Sequence, residues 1–218
     1  MIFKLMDINS LDIETTKKYY PMLTDMRKKK INDMSNAHER SVAFCGEIIA
    51  RQCLSRLLDA PEFSFQLLCN TDLKSVVGNY SAGISIAALG DIVACAVNEG
   101  AVGISLAQVK PFSFSEAQSL CSDSELRSVY SGSREQFSEL INKNICDEKN
   151  VMEMFALYSS LKDALFRASG RGFRSSAVRT EFIYNGAKIS CSDKSFTVSH
   201  YEIDRDKNIA VAIVERCL

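Results

Sequence analysis

Two stretches of about twenty residues constrain this chain most, because each carries apolar side chains at helical spacing and each is followed by short β-rich runs. The first spans about Ala37 to Leu58. Its Phe44, Ile48, Ile49, Leu54, Leu57 and Leu58 recur three and four residues apart, which gives one buried helix face, and Pro61 helps to end it. The second spans about Lys149 to Ala168, with Met152, Phe155, Leu161 and Leu165 in its stripe. Gly170 and Gly172 close it, since a helix C-terminus favours a residue free to take positive φ.

The runs after each helix read as strands. SFQLLC (64–69), ISIAAL (84–89), DIVACAV (91–97) and AVGISLAQV (101–109) follow the first helix, with a tight turn at Gly90-Asp91. This order predicts an antiparallel meander through residue 109. TEFIYN (180–185), AKISCS (187–192), SFTVSHYEID (195–204) and NIAVAIVE (208–215) follow the second helix. A basic helical segment over about Met22 to Lys30 and short helical pieces over about 114–142 complete the pattern. The fold class expected is therefore α+β, in two similar halves over residues 1–104 and 105–218, with a ligand groove between them.

Composition narrows the function classes. Hydrophobic residues make up 46% and charged residues 24%, enough apolar surface for a packed core. A formal charge of −1 supplies no global field for nucleic acid or for an anionic membrane, so neither partner is expected. No apolar run approaches the ~20 residues of a membrane span. MIFKLMDINSLDIETTKK has no signal-peptide core, so the cytoplasm is the compartment expected. Eight cysteines contain no C-x-x-C pair, and two histidines leave no zinc-ligand spacing, which points to reduced, structural thiols. His38 and His200 stand in no recognisable motif and read as surface or packing residues.

Three segments carry a further signal: HERSVAFCGEIIARQCL with Gly46, SIAALGDIVACAVNEGAVGISLAQ with Gly90 and Gly103-Ile104, and MFALYSSLKDALFRASGRGF with Lys162-Asp163-Ala164 and Gly170-x-Gly172. In this order, over some 200 residues, they resemble the monomeric, two-halved 4′-phosphopantetheinyl transferases of the surfactin-synthetase-activating type. The resemblance implies a pseudo-two-fold fold, a monomer, coenzyme A as ligand and an acyl or peptidyl carrier protein as acceptor. In that family a carrier serine attacks the β-phosphorus of coenzyme A, with Mg²⁺ balancing charge at the pyrophosphate.

What the resemblance implies for the site is uneven. The two strand positions that carry metal-binding carboxylates in the family are Ser105 and Ala107 here, and the helix glutamate is Asp163. One carboxylate and a hydroxyl are a poor set for a hard, octahedral cation, so magnesium is expected to bind weakly or not at all. The family's Ser-His-Ser-Gly turn is Ala87-Ala88-Leu89-Gly90, and Ser159 stands in place of a tryptophan. Asp91, beside that turn, reads as a plain turn residue. Asp163 and Lys162 are the catalytic positions implied, with Asp163 the remaining metal ligand. Lys162, Arg167, Arg27, Lys30 and Lys74 are the implied phosphate contacts for coenzyme A. Against this, RKKK (27–30) is also an ordinary solvated charge run, and Asp163 and Arg167 have the i, i+4 spacing of a surface ion pair. The expectation is a transferase-like protein with impaired or absent activity. The alternative is an active holo-[acyl-carrier-protein] synthase with an altered metal site.

Overall fold

The computed structural model describes residues 1–69, 75–78, 80–131, 145–170 and 180–217. Two contact units divide the chain, Met1–Val102 and Gly103–Leu218, and both are mixed α+β with small open sheets.

The N-terminal unit begins with strand β1 (Ile2–Asp7), then helices α1 (Ile13–Tyr19), α2 (Asp25–Asn32) and α3 (Ala37–Leu58). Each helix opens on a polar residue whose side chain accepts a backbone N–H, Asp12, Thr24 and Asn36 respectively. Thr24 moves the start of α2 past the predicted Met22, because Tyr20–Met22 forms a 3-10 turn with Pro21 inside it. Asp59 ends α3 in the left-handed region at φ 47°. A small antiparallel pair, β2 (Leu67–Cys69) and β3 (Ser75–Val77), precedes β4 (Gly83–Leu89) and β5 (Ile92–Asn98).

The sheet order is β1-β5-β4, with β5 antiparallel to both neighbours. This corrects the predicted meander. The run at 101–109 does not extend β5, because β1 already occupies that edge with Phe3 opposite Ala96 and Leu5 opposite Ala94. The strand-forming character of IFKLMD is hard to read from six mostly apolar residues. Cys45, Ile49, Cys53 and Leu54 of α3 pack with Val93, Cys95 and Val97 of β5 in the unit's core. At Gly46 a Cβ would lie 3.4 Å from Ile86, an ordinary van der Waals contact, so the packing there does not demand glycine.

The C-terminal unit begins with β6 (Val102–Gln108), counting its first residue, then α4 (Phe114–Leu120), α5 (Asp123–Tyr130) and α6 (Lys149–Ser169). Ser113–Glu116 and Ser122–Glu125 form complete capping boxes at α4 and α5. Gly170, at φ 66°, ends α6 as its position predicts, and Gly172 lies outside the described residues. The antiparallel pair β7 (Phe182–Tyr184) and β8 (Ile189–Cys191) then leads to β9 (Phe196–Asp204) and β10 (Ile209–Arg216). Here the sheet order is β6-β10-β9. Leu157, Leu161 and Leu165 of α6 share a core with Ala210, Ala212 and Val214 of β10.

The two units thus repeat one topology. Each runs strand, short helices, long helix, small hairpin, then two strands, and each places its last strand between its first and its penultimate. The repeat extends to a side-chain device. About two-thirds along each long helix a buried cation holds the segment that enters the small hairpin. In the N-terminal unit it is Arg51, which donates to the carbonyls of Glu62 (3.1 Å) and Phe65 (2.8 Å), and to that of Met22 (2.9 Å). In the C-terminal unit it is Lys162, which donates to the Thr180 carbonyl (2.6 Å).

Among the described cysteines no disulfide forms, and Cys45, Cys53, Cys95, Cys121 and Cys146 are buried while Cys217 is exposed. Burial pushes the Cys45 thiol up to about 11 and the Cys121 thiol up to about 12. Thiolate is the reactive form, so both should be inert in the native state. Alkylation at mildly basic pH, mapped by mass spectrometry, is expected to label Cys217 first and Cys45 and Cys121 only on unfolding. Fast labelling of Cys121 in folded protein would contradict this packing.

Candidate functional site

A cleft of about 440 Å³ opens in the C-terminal unit, lined from three elements. β6 contributes Ser105, Leu106 and Ala107, α4 contributes Glu116, Ser119 and Leu120, and α6 contributes Ser159, Lys162, Asp163, Phe166 and Arg167. Gly103 makes the arrangement possible. A Cβ there would fall 1.9 Å from the Ala164 carbonyl oxygen and 2.7 Å from the Ala168 nitrogen, so β6 and α6 touch backbone to backbone. Two residues on, the same strand face carries Ser105, which that close approach brings to Asp163.

Asp163 is held from both sides. Its Oδ2 accepts from Ser105 Oγ (2.8 Å) and from Arg167 Nε (2.7 Å). The i, i+4 ion pair anticipated for Asp163 and Arg167 is therefore present, with the two side chains 43% and 37% exposed. Ser105 is buried, and Ala107 offers no oxygen beyond its backbone. Ser105, Ala107 and Asp163 thus give one carboxylate whose Oδ2 is committed to a hydroxyl and a guanidinium. Among the described residues no group of three or more His, Cys, Asp or Glu side chains could hold a metal. The donor set does not fit Mg²⁺, which needs several hard oxygens free of competing cations.

Lys162 lines the cleft, but its ammonium faces inward. It is 2% exposed and pairs at 2.9 Å with Glu125, which is fully buried. Glu125 also accepts from the backbone N–H of Phe182 (2.7 Å) and of Ser122 (2.8 Å). The lysine expected to meet a phosphate therefore has a carboxylate and a carbonyl as its partners in this structure, as a buried charge requires.

The remaining predicted contacts belong to the N-terminal unit. Arg27 reaches back from α2 to pair with Glu47 of α3, which is 2% exposed. Burial raises the Glu47 carboxyl above its ordinary range, and the charges of Arg27 and Arg51 act against that shift. Lys30 lines a shallow cleft of about 410 Å³ with Met26, Lys29, Asp33 and Met34. Lys74 lies outside the described residues. Asp91 is more than a turn residue: it accepts from Asn9 Nδ2 (3.1 Å) and meets His38 Nε2 at 3.0 Å. This clasp joins the β4–β5 turn to the start of α3 and gives His38 a partner that its sequence context does not reveal. His200 lies 3.4 Å from Glu202.

Sequence reasoning missed Glu125, Glu47 and Arg51, three buried charged residues that organise their units. The pattern Ser122-x-x-Glu125 announces a capping box, but not the further bonds to Lys162 and Phe182. Glu47 and Arg51 are legible as charges inside the apolar run CGEIIARQCL, where each needs a buried partner. No protein-family model and no curated protein matches this sequence. Among the described residues no helix is long and apolar enough to cross a membrane.

Proposed function

We propose that the two units are the halves of a 4′-phosphopantetheinyl transferase-like protein that has lost transfer chemistry and retains binding of coenzyme A or a carrier protein. The repeated topology supports the two-halved fold. Engagement of Asp163 Oδ2 by both Ser105 and Arg167 is the observation that carries the loss of chemistry. A divalent cation at Asp163 would share its one carboxylate with a tethered guanidinium and gain only a serine hydroxyl beside it. Without that cation, charge building on the departing 3′,5′-ADP lacks the metal's counter-charge, and phosphoryl transfer depends chiefly on such electrostatic stabilisation.

Calorimetric titration with coenzyme A, and separately with an apo carrier protein, tests the retained binding. Association with at least one of them, unchanged by Mg²⁺, is expected. Failure of both to bind would remove the proposal.

A further inference from the structure

The cations of the C-terminal cleft are already balanced by carboxylates of the same unit. Lys162 is neutralised by Glu125 and Arg167 by Asp163. Glu116 adds a carboxylate whose Oε2 is fixed by the Ser113 backbone N–H and hydroxyl. That capping keeps the Glu116 carboxyl below its ordinary range, so it is anionic at neutral pH. A phosphate entering the cleft would meet two carboxylates and two cations that are already paired. A neutral donor meets favourable chemistry, because a carboxylate with its counter-cation in place still accepts N–H and O–H bonds. Ser119, whose hydroxyl donates to the Glu116 carbonyl (2.7 Å), adds an acceptor oxygen, Ser159 adds a further hydroxyl, and Leu106, Leu120 and Phe166 line the cleft with apolar surface.

We propose that this cleft binds an uncharged ligand that carries amide or hydroxyl groups together with aliphatic segments, and that it excludes phosphate. The charge argument stands on the cleft alone. Naming the ligand rests on the proposed function, under which this chemistry is that of the pantetheine arm and not that of the pyrophosphate. Phosphate-free pantetheine is then sufficient for occupancy, and no metal is required.

Amide NMR spectra of the full chain, isotopically labelled, test this with four probes: pantetheine, 3′,5′-ADP, inorganic pyrophosphate with and without Mg²⁺, and an N-acetylated dipeptide amide. Pantetheine is expected to shift signals of Ser159, Phe166 and Leu120, while 3′,5′-ADP and pyrophosphate leave them in place. Ser119→Trp, at an exposed position of α4, and Ser159→Trp should each abolish the pantetheine shifts while keeping native signal dispersion. Glu116→Gln combined with Asp163→Asn leaves Arg167 unbalanced and is expected to admit pyrophosphate. Pyrophosphate shifting the cleft of the unaltered protein, or no probe shifting it, would overturn the inference.

The outcomes also separate the two readings. If the dipeptide amide moves the cleft as strongly as pantetheine, the charge argument stands and the coenzyme reading fails. If coenzyme A or a carrier protein binds only at residues outside the cleft, the proposed function stands and the cleft ligand fails.

Discussion

Replacing Lys162 by methionine is expected to lower the unfolding free energy by about 3–5 kcal/mol, the usual cost of stripping one partner from a buried ion pair. Glu125 would be left fully buried with, among the described residues, the backbone N–H groups of Phe182 and Ser122 as donors, and the Thr180 carbonyl would lose its ammonium. The double replacement Lys162→Met with Glu125→Leu should recover a large part of the loss, because apolar residues of similar volume carry no desolvation cost. Urea denaturation of the single and double variants checks both statements. A loss below about 1 kcal/mol, the range of exposed ion pairs, would mean that the ammonium is solvated and available to a ligand.

Arg51→Met is expected to cost about 3–5 kcal/mol in the N-terminal unit, because each main-chain carbonyl left without its donor costs about 1–3 kcal/mol. Its side chain is 1% exposed and donates to three main-chain carbonyls from two separate segments, Met22 on one side and Glu62 and Phe65 on the other. Each of those carbonyls would lose a charge-assisted partner, and Glu47 would keep Arg27 as its close guanidinium. Hydrogen exchange should report the loss most strongly at residues 62–67, where two of the three bonds act. A uniform change across the unit, with residues 62–67 no more exposed than the rest, would contradict the pinning role.

These two cations show what the sequence makes legible and what it hides. Periodicity with nearby stop residues places α3 at its observed bounds and α6 within a residue of its own, because a stripe and its stop signals are local properties. Gly170 and the Gly90 turn are equally local, each needing a positive φ that glycine accepts freely. The partner of β5 is not local: β1 lies some ninety residues away in sequence, and only the folded sheet shows that it closes that edge. The same holds for the site. Asp163 and Arg167 are read from i, i+4 spacing, whereas Ser105 reaches Asp163 only because Gly103 lets a strand lie directly on a helix. Lys162 sits in a motif that implies a phosphate, and its carboxylate partner comes from a different helix, 37 positions earlier. Motif spacing constrains which residue type stands at a position, and packing decides what that residue meets.

The mass of an apo carrier protein after incubation with this protein, coenzyme A and Mg²⁺ tests the central claim most directly. With Asp163 tied to Ser105 and Arg167, and no second carboxylate at Ala107, the carrier mass is predicted to stay unchanged. A gain of one phosphopantetheine group on the carrier would contradict it.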